Sequence, residues 1–127
     1  MDKQEIIDYW LTSAKNNVKA AKDMFASKHY DWALFIWQLV LEKTLKAIIV
    51  SQGRTPPPVH DLVRLAKIAK LALNTQQTKQ LTEISKFNLD ARYDIYKFGF
   101  QQKATKTYAT TWLAICKQYY LWLKKQL

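Results

Sequence analysis

The stretch 88-NLDARYDIYKFGF-100 gathers the most chemistry into the fewest residues. Arg92 and Lys97 are interleaved with Tyr93, Tyr96, Phe98 and Phe100, and Asp90 and Asp94 flank them. On a continuous helix Arg92 and Tyr96 share a face, as do Tyr93 and Lys97. Such a face can hold a nucleotide. Arg92 and Lys97 would clamp phosphate while a base stacks on Tyr93 or Tyr96. The same residues can instead anchor one helix to another, Arg92 pairing inside the protein with Glu42 or Asp90. A third reading is catalysis by Arg92 and Lys97, with His60 brought close by folding. Arginine is no general base near neutral pH. A lysine becomes one only when burial or like charge lowers its pKa. Asp94, three residues before Lys97, supplies the opposite charge.

Three other positions carry polar chemistry in apolar surroundings. Gln38, Glu42 and Lys46 recur at four-residue spacing and so form one stripe on an otherwise apolar segment. Glu42 and Lys46 stand in the favourable order for an ion pair, acid first. With Asp90 and Asp94 they can form a polar seam between helices. His60 falls just before Asp61, the natural cap of the next helix, where a ring nitrogen can bond backbone or a neighbouring side chain. Cys116 lies in 112-WLAICKQYY-120 and reads as a small core residue. One cysteine and two separated histidines offer no metal cluster, and no cofactor motif is present.

The elements that must position these groups are helices. Ile7, Trp10, Leu11, Ala14, Val18, Ala21 and Phe25 recur at steps of three and four, which predicts an amphipathic helix over about 3–27. Asp31 can cap a second helix over 31–52. Its apolar arc is wide, which places it centrally. The segment 53-GRTPPPV-59 ends that helix and makes a stiff connector. A third helix follows over 60–73, a fourth over about 76–96 and a last over about 103–126. In the fourth, Leu81, Ile84, Phe87, Ala91 and Ile95 face inward. In the last, Ala104, Tyr108, Trp112, Ile115, Tyr119 and Leu123 do so. Short connections between sequential helices give an antiparallel up-and-down bundle, a four-helix core with an additional helix.

Composition agrees with an all-α chain. Of 127 residues, 49% are hydrophobic, while Gly and Pro number only 2 and 3, which disfavours a turn-rich β fold. The length suits a single domain, 1–127. The N-terminus is charged and shows no signal peptide, and 32-WALFIWQLVL-41 is too short to span a membrane. The expectation is a soluble cytoplasmic protein. The net charge of +10 is uneven: 12 Lys and Arg against 4 Asp and Glu in residues 60–127, but 8 against 6 in residues 1–59. A basic half attracts phosphates, nucleic acid or an acidic partner.

The order of these features resembles the HEPN domain family across nearly the whole chain. Trp10, Ala14 and Ala21 open the pattern. The run 28-KHYDWALFIWQLVLEKTLKAIIVSQG-53 continues it with a Gln, E-K-x-L-K-A and a closing Gly. His60 and Leu62 look like the family's H-x-L, and 91-ARY-93 like its A-R-Y element. The resemblance implies a helical bundle similar to the C-terminal domain of kanamycin nucleotidyltransferase. It also implies a homodimer, and a small nucleotidyltransferase partner in a toxin–antitoxin-like pair. Catalytic members are metal-independent RNases marked by an Arg followed by His after four to six residues. Here those positions hold Lys97, Phe98 and Gly99, and Tyr93 follows Arg92 where the family often has a polar residue. The expected function is therefore non-catalytic: binding of nucleotide, RNA or the partner protein. The alternatives are an RNase with a non-standard site and a purely structural dimerisation module.

Overall fold

The structure is a computed structural model describing all of residues 1–127. It is entirely helical, with α1 Lys3–Ala26, α2 Tyr30–Ser51, α3 Leu62–Ile68, α4 Thr75–Asp90, α5 Asp94–Lys103 and α6 Lys106–Lys124. The four long helices form the antiparallel bundle, and α3 and α5 are short additions.

Most helix starts follow from local chemistry. Asp2, Asp61, Asn74 and Thr105 each accept a backbone N–H of the first turn. Asn74 and Gln77 complete a reciprocal capping box. Asp31 does not cap α2 as its position suggested. The helix begins one residue earlier, behind His29, and Asp31 falls in its first turn with Oδ2 buried and unpartnered. At the other end Gly53 takes φ +79°, a left-handed conformation that turns the chain out of α2.

Packing makes α2 the hub, in contact with each of the other five helices. Its apolar residues Leu34, Trp37, Val40, Leu41, Leu45, Ile48 and Ile49 are all but fully buried. Ala14 and Ala21 let α1 approach it closely, and Phe87, Leu81 and Ile84 bring α4 in. Cys116 is part of this core, and burial pushes its thiol well above the usual range.

The sequence pattern predicts five helices, and there are six. The expected fourth helix breaks after Asp90 and restarts at Asp94. The break is visible in the hydrogen bonds. In an unbroken helix the Arg92 N–H would donate to the Asn88 carbonyl. Instead that N–H donates to the Leu89 carbonyl, and the Arg92 side chain takes the Asn88 carbonyl through Nε at 2.8 Å. Arg92 thus satisfies with its side chain an acceptor that its main chain has left. The turn is favoured by packing beyond it. Phe100 is buried with its ring 5.6 Å from that of Phe87, while Ile95, expected inward, is 83% exposed.

Candidate functional site

The polar stripe of α2 is buried and forms the base of the site. Gln38, Glu42 and Lys46 are each less than a tenth exposed. Lys46 Nζ donates to Glu42 Oε2 at 3.0 Å and lies over the Trp10 ring at 5.4 Å. Glu42 Oε1 accepts Gln38 Nε2 at 3.2 Å and stands 2.9 Å from His60 Nδ1. Gln38 Nε2 also donates to the His60 carbonyl at 2.9 Å. From α4, Asn88 Nδ2 donates to Gln38 Oε1 at 2.8 Å. Asn88 Oδ1 then accepts Arg92 Nη2 at 2.5 Å. One hydrogen-bonded chain therefore runs Lys46, Glu42, Gln38, Asn88, Arg92, with His60 as a branch. Every buried member has partners, as a polar network in a core requires.

The chain ends at a cleft of about 530 Å³ between α3, α4 and the α4–α5 junction. His60, Ser85, Lys86, Asn88, Arg92 and Tyr93 are among its walls. Its cations are His60 when protonated, Lys86 and Arg92. Its one carboxylate, Asp61, is occupied in capping α3 through Oδ1 at 3.0 and 3.4 Å from the Val63 and Arg64 nitrogens. Arg92 is exposed, and its guanidinium lies 5.3 Å from the Tyr93 ring and 5.8 Å from the Phe35 ring. Two of its nitrogens hold Asn88, and Nη1 makes no hydrogen bond within the protein. This arrangement presents a fixed cation beside an aromatic ring, a geometry suited to phosphate and a stacked base.

The structure brings some of the sequence-derived residues together and separates others. Arg92, Tyr93 and His60 share the cleft. Tyr96 and Lys97 leave it, because the break after Asp90 removes the continuous face that would align them. Lys97 Nζ sits over the Trp32 ring at 5.2 Å. Tyr96 lines a smaller hollow with Asp90 and Lys103. Arg92 pairs with neither Glu42 nor Asp90 but reaches the Glu42 network through two amides. Asp90 and Asp94 are not part of the seam. Asp94 is exposed in the first turn of α5. Partial burial raises the Asp90 carboxyl, against the attraction of Lys103. Lys43, next to Glu42 in sequence, faces α1 instead, with Nζ 2.7 Å from both Ser13 Oγ and Asn17 Oδ1. Burial lowers its pKa.

Asn88 is the linking residue that the reading of the sequence missed. Its four-residue separation from Arg92 was a usable signal, but its bond to Gln38 spans 50 positions and is set by helix packing alone. Lys86 and Ser85 carried no signal of their own. Ser85 Oγ accepts the Leu62 N–H at 2.9 Å and so ties α3 to α4 at the cleft.

Comparison with known proteins agrees with this architecture. The sequence profile of the HEPN domain matches residues 7–126. The fold is similar to the crystal structure of TT1696 from Thermus thermophilus, with a TM-score of 0.81 and 21% sequence identity. That similarity covers 95% of this chain and 98% of the other. No curated protein matches the sequence. No helix is long and apolar enough to cross a membrane.

Proposed function

The chain belongs to the HEPN domain family, and from that premise we propose that it is a binding module that holds nucleotide or RNA phosphate without cutting it. One observation supports this above the others. Arg92 is exposed in a cleft yet pinned by Asn88, beside Tyr93 and Lys86. A guanidinium fixed in this way loses little side-chain entropy on meeting an anion. Lys97, Phe98 and Gly99, the positions reached from Arg92 after four to six intervening residues, include no histidine, which argues against the family's usual RNase chemistry. In a cell, such a module acts as a homodimer and as the partner of a small nucleotidyltransferase in a toxin–antitoxin-like pair. Ile95 and Phe98, at 83% and 70% exposure, together with Leu89 and Tyr96, supply an apolar surface for association.

A second reading has a specific observation in its favour. The carboxylate of Glu42 at 2.9 Å from His60 Nδ1 orients an imidazole in the same cleft as Arg92. A carboxylate-oriented imidazole is a proton-transfer group for metal-free RNA cleavage. An assay with structured RNA in the presence of EDTA separates the two readings. Binding without cleavage, weakened by Arg92→Ala, supports the module. Cleavage that disappears in both Arg92→Ala and His60→Gln makes the protein an RNase with a non-standard site.

A further inference from the structure

His60 differs from Lys86 and Arg92, the cations of the cleft, in how it is held. Its carbonyl accepts Gln38 Nε2, its Nδ1 stands against Glu42, and the Leu62 N–H two residues on is tied to Ser85. The ring is fixed by these contacts while the side chain remains 56% exposed. Glu42 is fully committed, with Lys46 on one oxygen and Gln38 and His60 on the other. An ionised carboxylate only accepts, so the proton of a neutral ring stays on Nδ1. Nε2 is then the atom whose character changes, a lone pair in the neutral ring and a donor in the cation. The charged groups around the ring are Glu42 and, behind it, Lys46 from α2, Asp61 at the start of α3, Lys86 from α4 and Arg92 from the junction.

We propose that this cleft binds a terminal phosphate monoester, one proton being shared between the phosphate and Nε2 of His60. The proposal rests on the nucleotide-binding reading above and narrows it. Two cations, Lys86 and Arg92, and the imidazole of His60 line one cleft, three groups for the three terminal oxygens of a monoester where a diester offers two. A phosphate monoester and an imidazole also release protons in the same pH range, so one proton serves both. The phosphate can belong to a mononucleotide or to the end of an RNA strand.

Titration calorimetry distinguishes these sources. The ligands are AMP, a 5′-phosphorylated RNA oligonucleotide and the same oligonucleotide without its phosphate, each at about pH 6 and about pH 8. Wild-type protein is expected to bind a phosphorylated ligand at least about tenfold more tightly than the unphosphorylated strand. His60→Gln is expected to weaken that binding about tenfold near pH 6 and little near pH 8, since one linked proton changes affinity up to about tenfold per pH unit. Proton uptake by the unmutated protein between about pH 7 and pH 8, where an ordinary imidazole and a phosphate monoester are both largely deprotonated when free, is read from heats in two buffers of different ionisation enthalpy and tests the shared proton without any variant. AMP binding alone assigns the site to mononucleotides, and binding of both phosphorylated ligands extends it to RNA ends. Equal affinity of wild type and His60→Gln at both pH values, with no proton uptake, overturns the shared proton and leaves a nucleotide site standing. Equal binding of the unphosphorylated strand overturns the monoester. Absence of binding in every arm overturns this proposal and the binding module together.

Discussion

Glu42 and Arg92 stand at opposite ends of one hydrogen-bonded chain and live under opposite conditions. Glu42 is 5% exposed, in the middle of the central helix, with a donor on each of its two oxygens. Arg92 is exposed at a break between two helices, its side chain held by a neighbour's carbonyl and amide. A buried charge needs its partners to exist there at all, because the alternative is an ion without water. An exposed charge has water as an alternative partner, so its bonds to Asn88 fix direction more than they add stability. The interior end of the chain is therefore structural, and the outer end is the one on which the proposed binding role rests. The two amides between them, Gln38 and Asn88, transmit position from one to the other.

That contrast can be broken in several ways. The largest effect is expected from Glu42→Ala, which leaves buried Lys46 without its carboxylate. A loss of about 3–5 kcal/mol in urea unfolding is expected; a loss below about 1 kcal/mol would remove the interior end of the comparison. Asn88→Ala comes next. It strips a donor from buried Gln38 and the Oδ1 acceptor from Arg92 Nη2, while the backbone carbonyl that holds Nε stays, at an expected cost of about 1–3 kcal/mol. Nucleotide affinity should fall with it, because Arg92 loses part of its support. Arg92→Ala should change stability by no more than about 1 kcal/mol, within the range of an exposed side chain. Yet it should abolish most binding in a fluorescence or calorimetric titration. If Arg92→Ala unfolds the protein, the outer end is structural too.

The smallest effect concerns an interior group outside the chain. Burial raises the Cys116 thiol above its ordinary value of 9.0. The folded state therefore keeps this proton where the unfolded chain releases it. Its contribution to stability is complete below about pH 9 and is lost as pH rises beyond. Cys116→Ala should flatten the decline in the urea midpoint above pH 9, and iodoacetamide should leave the native wild-type thiol unmodified until the protein unfolds. A thiol that reacts in the native state would mean that the core beside α6 opens more readily than its packing implies.

Parts of this organisation were legible in the residues. Steps of three and four among Ile7, Trp10, Leu11 and Ala14 define α1 without reference to any neighbour. The wide apolar arc of α2 marks its central place, and the Gln38, Glu42 and Lys46 stripe is a spacing that only a helix aligns. Other parts were misleading for a physical reason. Ala91 and Ile95 continue the period of α4, so local pattern extends the helix through Arg92. Burial of Phe100 against Phe87 and capture of the Asn88 carbonyl by the Arg92 side chain end it instead. Hydrophobic periodicity carries no information about either.

The sequence alone therefore determined the helical class, the hub helix with its polar stripe and the presence of a cationic, aromatic segment near Arg92, because each depends on residues within a few turns of one another. Tertiary structure decided which members of that segment act together. It set Arg92 and Tyr93 beside His60 and Lys86, and it sent Lys97 to Trp32 and Tyr96 to another hollow. Those assignments follow from where a helix breaks and from a hydrogen bond between Gln38 and Asn88. Both are fixed by the competition of distant side chains for space and for polar partners in the core.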